Sequence, residues 1–497
     1  MTELPFQRRF QRLIVKSQAR LEAGAGDLWI PAVLTSALTA GLMASALQKL
    51  KNLESGADLA AYTQASWMIG QGIEPKASLL GDDIHMLELG WSFILYPLAL
   101  IGRLYPPAEV LVIAQAIALG LGVIPLWLLA RDVNKLRIGA ASALIVAYAL
   151  HPATHRLGTD DFHPEALAVP ALIAMAYFGA TKRWPAYWLC IALALATRAD
   201  LGLAVALWGF VVLGTRARTT GLWTLGVGLS WSLGLLLVVQ PLIGYGAGAS
   251  DSSVDSVGFG RVVFSALRGP TELFAQPNMA LIVSLLAPVI FLPLLSLRHL
   301  APALPLASLY LIAGGGAAFA ERAAMLLGFV MIAASFALNR LGKMGVDRIF
   351  IDVRVLSTLV AAAVLVYVSS SPLSPYERPW ETDTLDATDR AVIRAAEMLP
   401  ESVTVRATSS ALTLLAERPW LFAIDSRRDT SAAQVSFPQF VWAVLVAERD
   451  IPERGEAERE EFERGMERQG FDIVMKDNDA GVTLYSRADL DQAERAE

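Results

Sequence analysis

Cysteine is almost missing from this chain: Cys190 is the one thiol in 497 residues. A disulfide-stapled secreted module is therefore excluded. Charge is scarce as well. Asp, Glu, Lys and Arg make up 18% of the residues, against roughly 25% in an average soluble protein. Histidine occurs five times. Apolar residues reach 55% and the mean hydropathy is +0.47. Those figures exclude a disordered chain, which needs low hydrophobicity and high charge, and an ordinary cytosolic enzyme.

The net charge of -6 hides a division. Residues 1–372 carry a balance of +5 and residues 373–497 a balance of -11. The first part is oily and slightly basic. The second is acidic and water-soluble. A bilayer core of roughly 30 Å takes about 20 apolar residues per helix. Eleven segments suit that role: 28–47, 109–130, 137–152, 165–180, 186–198, 200–214, 220–246, 281–297, 300–318, 323–339 and 355–371. A further stretch, 86–104, is apolar but holds Pro97 and Arg103 and is rich in aromatic residues. It reads as an external juxtamembrane helix.

Basic residues orient the spans, because short cytoplasmic loops collect Lys and Arg. Arg8, Arg9, Arg12, Lys16 and Arg20 put the N-terminal segment, 1–27, in the cytoplasm. With 86–104 lying outside, the basic loops at 131–137, 182–183, 216–218, 298 and 340–354 all face inward. Spans and their loops then occupy 28–372, in a cytoplasmic or inner membrane. A Pro-rich, charged linker at 373–386 leads to an external domain at 387–497. The expected fold class is an α-helical polytopic membrane protein of about eleven spans, with a small C-terminal α/β domain.

On this topology the ionisable residues collect on the external side. Ionisable groups at membrane depth are costly and mark functional sites. The densest run is Asp160-Asp161-Phe162-His163-Pro164-Glu165, at the mouth of a span. The first external loop supplies a helix at 57–70 with Asp58 in its first turn and Tyr62 on the same face. An acid there also has a plain structural use, since it complements the helix dipole. Asp82 and His85 follow, with a spacing that suits a divalent metal and equally suits a solvated turn. Arg198 and Asp200 interrupt an apolar stretch. They neutralise each other, or Arg198 takes a phosphate by its planar fork.

The residues Asp58, Gln64, Trp67, Leu80-Gly81-Asp82, Tyr96-Pro97, Asp161-Phe-His163-Pro-Glu165 and Arg198-Ala-Asp200 resemble, in that order, a large family of bacterial and archaeal polytopic membrane proteins of unknown function. The resemblance covers about 55–372 and extends to the tail. Members usually carry Lys-Glu-Asp at 198–200 and Asp-His at 82–83. The family in turn resembles the glycosyltransferase C superfamily. That resemblance implies many spans, external juxtamembrane helices and an external C-terminal domain. It also implies a polyprenyl-phosphate-linked sugar as donor, an acidic general base that maps to Asp58, and inversion at the sugar.

The expected site therefore has Asp58, Asp161 and Glu165 as catalytic residues. Arg198, Asp200, Tyr62, Gln64, Trp67 and Arg156 would bind substrate. Asp82, His85, Asp161 and His163 would hold a divalent ion, Mg or Mn. Membrane lipid and a glycan, lipid or protein acceptor are the partners. A transporter or flippase of a lipid-linked or anionic solute is the alternative, as is a non-catalytic assembly protein on the same scaffold. The tail reads as helices near 387–398, 408–416 and 453–469 with strands near 402–406, 419–424, 440–447 and a hairpin at 471–486. It has no Cys, no His and no phosphate-binding glycine loop, and its acidity excludes nucleic acid as a partner.

Overall fold

The computed structural model describes residues 26–76, 78–80, 85–239, 276–313, 324–345, 348–377, 385–424, 441–451 and 456–487. The basic residues before position 26, Asp82 and half of the linker, 378–384, lie outside them. Helix α1 (Gly26–Lys51) opens on Asp27 and closes on Lys49 and Lys51, which matches its dipole. The loop expected to be the first external one forms α2 (Ala57–Gln71) and α3 (Leu95–Gly102). Gly72 ends α2 in the left-handed region, at φ 76°. Pro107 starts α4 (Pro107–Val133), where its missing N–H costs nothing. Then come α5 (Ile138–Ala149), α6 (Pro152–Thr159), α7 (Ala168–Ala180), α8 (Trp184–Leu195), α9 (Leu201–Leu213) and α10 (Arg218–Val239). The next described stretches hold α11 (Gln276–Leu286), α12 (Leu304–Ala313), α13 (Ala324–Leu341) and α14 (Val353–Ser370).

Among the described residues, α1, α4, α10 and α14 are long and apolar enough to cross a membrane. A pair bent by 87°, Met279–Val289 and Leu292–Ser308, makes a fifth if it counts as one span. Five shorter apolar helices lie at the other expected segments; α8 and α9 have only 12 and 13 residues. The long helices expose Leu28, Trp29, Leu222, Trp223 and Leu365, an outward face suited to lipid. Helices α9 and α10 touch backbone to backbone. A Cβ on Gly228 would meet Ala206 N and Gly202 O, and one on Gly209 would meet Gly221 O. Small residues permit this approach.

The 86–104 stretch is not one helix. Met86–Leu89 forms a single 3-10 turn, Gly90 and Trp91 have φ of 119° and 63°, and α3 begins only at Leu95. The expectation of a continuous external helix is corrected here. The chain turns at Gly90, where a φ of 119° favours glycine and an added Cβ would stand 3.3 Å from the Arg198 guanidinium.

The tail builds one five-stranded sheet. Strands β1 (Lys343–Met344) and β2 (Ile349–Phe350) form a separate hairpin on the membrane part. The tail sheet has β3 (Val405–Ala407), β4 (Leu421–Ala423), β5 (Ala443–Ala447), β6 (Asp472–Asp477) and β7 (Val482–Ser486), in the order β4-β3-β5-β7-β6. β3 runs parallel to β4 and β5, and β7 pairs antiparallel with β5 and β6. Every residue of β5 is buried. Ala443, Leu445 and Ala447 join one core, while Val444 and Val446 join another with Phe462 and Met466 of α16 (Glu456–Arg468). That alternation is the period of two of a strand covered on both faces. Helix α15 (Ala387–Glu397) covers the first face and is started by a capping box between Asp386 and Asp389.

Candidate functional site

The start of α2 is built by a residue far from it in sequence. Asp161 accepts hydrogen bonds from Gly56 N at 2.8 Å and Leu59 N at 3.4 Å. These N–H groups have no partner inside the helix, so the Asp161 carboxylate caps it from outside. Glycine at position 56 leaves room for this carboxylate, since a Cβ there would overlap Asp161 Oδ2 and force it to shift. Asp58 stands exposed in the first turn beside this contact. Asp160, next along, pairs with Lys49 of α1 at 3.7 Å. Asp58, Asp160, Asp161 and Lys49 thus meet at one corner.

Gln115 of α4 fixes the turn that carries Asp161. Its Nε2 donates to Asp161 O at 3.2 Å, and its Oε1 accepts from His163 N at 2.7 Å. Between them Phe162 is fully buried, edge-on to Tyr62 with ring centroids 5.3 Å apart. Tyr62 therefore packs α2 onto this turn. A lone glutamine in an apolar span was the sequence signal for Gln115, and it went unread.

Glu165 and Arg198 form a second, buried cluster. Arg198 donates from Nη2 to Asp200 Oδ2 at 3.1 Å and approaches Glu165 Oε1 at 3.9 Å. Their side chains are 9% exposed for Arg198, 3% for Glu165 and 15% for Asp200. Ala199 N donates to Gly90 O, and Ser92 Oγ to Thr197 O, so the break at Gly90 is stitched to the Arg198 turn.

Other candidates lie elsewhere. Gln64 is fully buried, and its Nε2 donates to Ser78 Oγ at 2.9 Å and to Arg418 O and Pro419 O of the tail at 3.1 and 3.3 Å. Ser78 Oγ in turn donates to Leu421 O and accepts from Leu421 N. Gln64 thus latches the tail to α2. Trp67 lines a different cleft, at the far end of α2. Arg156 is exposed and donates to Ser370 O at the end of α14.

Of the four residues expected to hold a metal, Asp82 lies outside the described residues. His85 Nδ1 accepts from Leu87 N, and the Asp161 carboxylate is engaged with α2. Among the described residues, no three His, Cys, Asp or Glu side chains are grouped to hold an ion. Each Asp161 carboxylate oxygen already accepts one backbone N–H of α2, which leaves fewer sites for an ion.

A polar cleft of about 620 Å3 opens beside Gly56, between the 52–56 loop and the tail. Ser55, Asp389, Ser410 and Arg449 are among its walls. Arg449 pairs with Asp386 and Asp389, and Asp450 Oδ2 accepts from both Ser410 N and Ser410 Oγ.

Two solved structures share this architecture. One is the crystal structure of ArnT from Cupriavidus metallidurans bound to undecaprenyl phosphate, with a TM-score of 0.55, 12% identity, and coverage of 92% of this chain and 98% of that one. The other is the same protein in the apo state, with a TM-score of 0.55, 12% identity, and coverage of 94% and 99%. At that identity the likeness is one of fold, and it agrees with the distant glycosyltransferase C resemblance. No curated protein matches by sequence. The model of a family of predicted membrane proteins, DUF2079, matches residues 49–483, and the chain belongs to that family.

Proposed function

We propose that the chain is an integral membrane glycosyltransferase that uses a polyprenyl-phosphate-linked sugar at the external face, with Asp58 as general base. The observation that carries this reading is the shared fold over nearly the whole chain with a protein crystallised with undecaprenyl phosphate. The corner around α2 supports it. Asp161 holds the helix end, Asp58 lies exposed in the first turn, and Gly56, two residues before it, lines a polar cleft of about 620 Å3.

In such a reaction the acceptor hydroxyl gives its proton to the Asp58 carboxylate as its oxygen attacks the anomeric carbon. The bond from that carbon to the phosphate oxygen breaks, and polyprenyl phosphate leaves. A single displacement inverts the sugar and needs one base. The leaving phosphate needs a cation. Lys49 stands at this corner beside Asp160, and Arg156 and Arg198 are the arginines expected from the sequence to serve it.

The test is turnover of radiolabelled polyprenyl-phosphate sugars by membranes containing the protein, read as released polyprenyl phosphate. Asp58→Asn should lower the rate about 100-fold or more while expression holds. Retained turnover would remove Asp58 from the base role. The bent pair Met279–Val289 and Leu292–Ser308 favours a second reading, passage of a lipid-linked solute, because broken helices build transport sites. Its break falls at Ile290 and Phe291, which bring no ionisable group to bind such a solute. The enzyme reading is therefore preferred.

A further inference from the structure

The external loop holds another cleft, at the opposite end of α2 from Asp58. It lies where the ends of α2 and α3 meet the start of α4 and the tail, and its volume is about 440 Å3. Helix α2 has 15 residues, so its two ends stand ~20 Å apart at 1.5 Å per residue. Nothing in the transfer step described above uses this place.

Its walls combine three kinds of chemistry. Trp67 is half-buried and offers a ring face, with Tyr105 beside it. Gln71, Arg103 and Glu417 bring an amide, a guanidinium and a carboxyl. Among the described residues, neither the Arg103 nor the Glu417 side chain makes a hydrogen bond or an ion pair. A half-buried carboxyl without a donor is costly, unless a ligand supplies one. Leu104 lines the cleft and is 80% exposed, and Leu100 and Ile101, just before it at the end of α3, are exposed as well.

The charge of the cleft selects among head groups. Burial, and then the neighbouring carboxylates Glu401 and Glu109, raise the Glu417 carboxyl above its ordinary value. The same negative surroundings disfavour a phosphate or a uronic acid. A hydroxyl-rich, uncharged group suits an unpaired donor, an unpaired acceptor and an aromatic face together.

We propose that this cleft binds the uncharged sugar head group of a membrane-anchored glycan. The pyranose ring lies on Trp67. Arg103 donates to its hydroxyls, Glu417 accepts from them, and Gln71 does either. Leu100, Ile101 and Leu104 take the hydrocarbon anchor.

The experiment uses the full-length protein in lipid nanodiscs. The probe is octyl β-glucoside carrying a diazirine in its chain, kept below its micellar concentration. Mass spectrometry maps the crosslinks. They should fall within 67–71 and 100–107, and unlabelled octyl β-glucoside should compete while octyl phosphate does not. Trp67→Ala and Glu417→Ala should each lower labelling about fivefold or more, and Trp67→Phe should keep most of it, which separates lost stacking from misfolding. Equal labelling of all the variants, or equal competition by octyl phosphate, would overturn the sugar site. Competition by methyl β-glucoside as strong as by the octyl compound would overturn the membrane anchor. The readout needs no sugar transfer, so it stands apart from the fate of Asp58.

Discussion

Asp161 accepts its hydrogen bonds from residues 105 and 102 positions earlier in the chain. That distance is why its use was illegible. The acidic run 160–165 stood out as a place of interest, but no spacing in a sequence reveals that a carboxylate caps a helix from another loop. Gln64 misled in the same way. The family resemblance put it with the substrate, while its amide is spent on carbonyls 354 and 355 positions later. Asp58, by contrast, was legible as a first-turn acid, because α2 starts where its sequence says. Gly56→Ala tests the corner. The added methyl overlaps Asp161 Oδ2, and overpacking of this kind costs about 1–3 kcal/mol. Thermal unfolding of the detergent-solubilised protein should show the loss. Asp161→Ala removes the obstacle, so the double variant should fall short of the sum of the single ones. Strict additivity would mean that the two positions do not touch.

At the level of elements, the tail was readable nearly strand by strand. Strand β5 announces itself as an unbroken apolar run, and β6 and β7 as a hairpin around Asp479 to Gly481. The 86–104 stretch was not readable, because its break stands against Arg198, which lies 108 residues past Gly90 in the chain. The junction of α2 with β4 is open to measurement. Ser78→Ala deprives Leu421 N, Leu421 O and the Gln64 amide of a shared partner. A buried group left unsatisfied costs about 1–3 kcal/mol. Hydrogen exchange at the Leu421 amide should speed up, while Leu484, inside β7, keeps its protection. Unchanged exchange at Leu421 would show that β4 needs no help from the loop.

Across the whole molecule, hydropathy and charge gave the class, and the fold shared with ArnT agrees with it at 12% identity. The number of spans is a finer matter, since α8 and α9 are too short to qualify by length. An external tail is an expectation that rests on the basic loops alone. A phosphatase reporter fused after Glu497 should be active outside the cytoplasm, and activity confined to the inside would invert the topology. The change in composition at 373–386 suggested a second domain that begins after the last span. The apolar contacts draw a different line. Ala60 of α2 is fully buried in the same cluster as Val405, Leu445 and Leu484, and Leu53 and Leu79 pack against it. A fragment cut at the linker would carry its sheet away and leave part of its own interior behind. The smallest piece able to close that interior joins two stretches of chain some three hundred residues apart, so during synthesis the tail must find the first loop already in place.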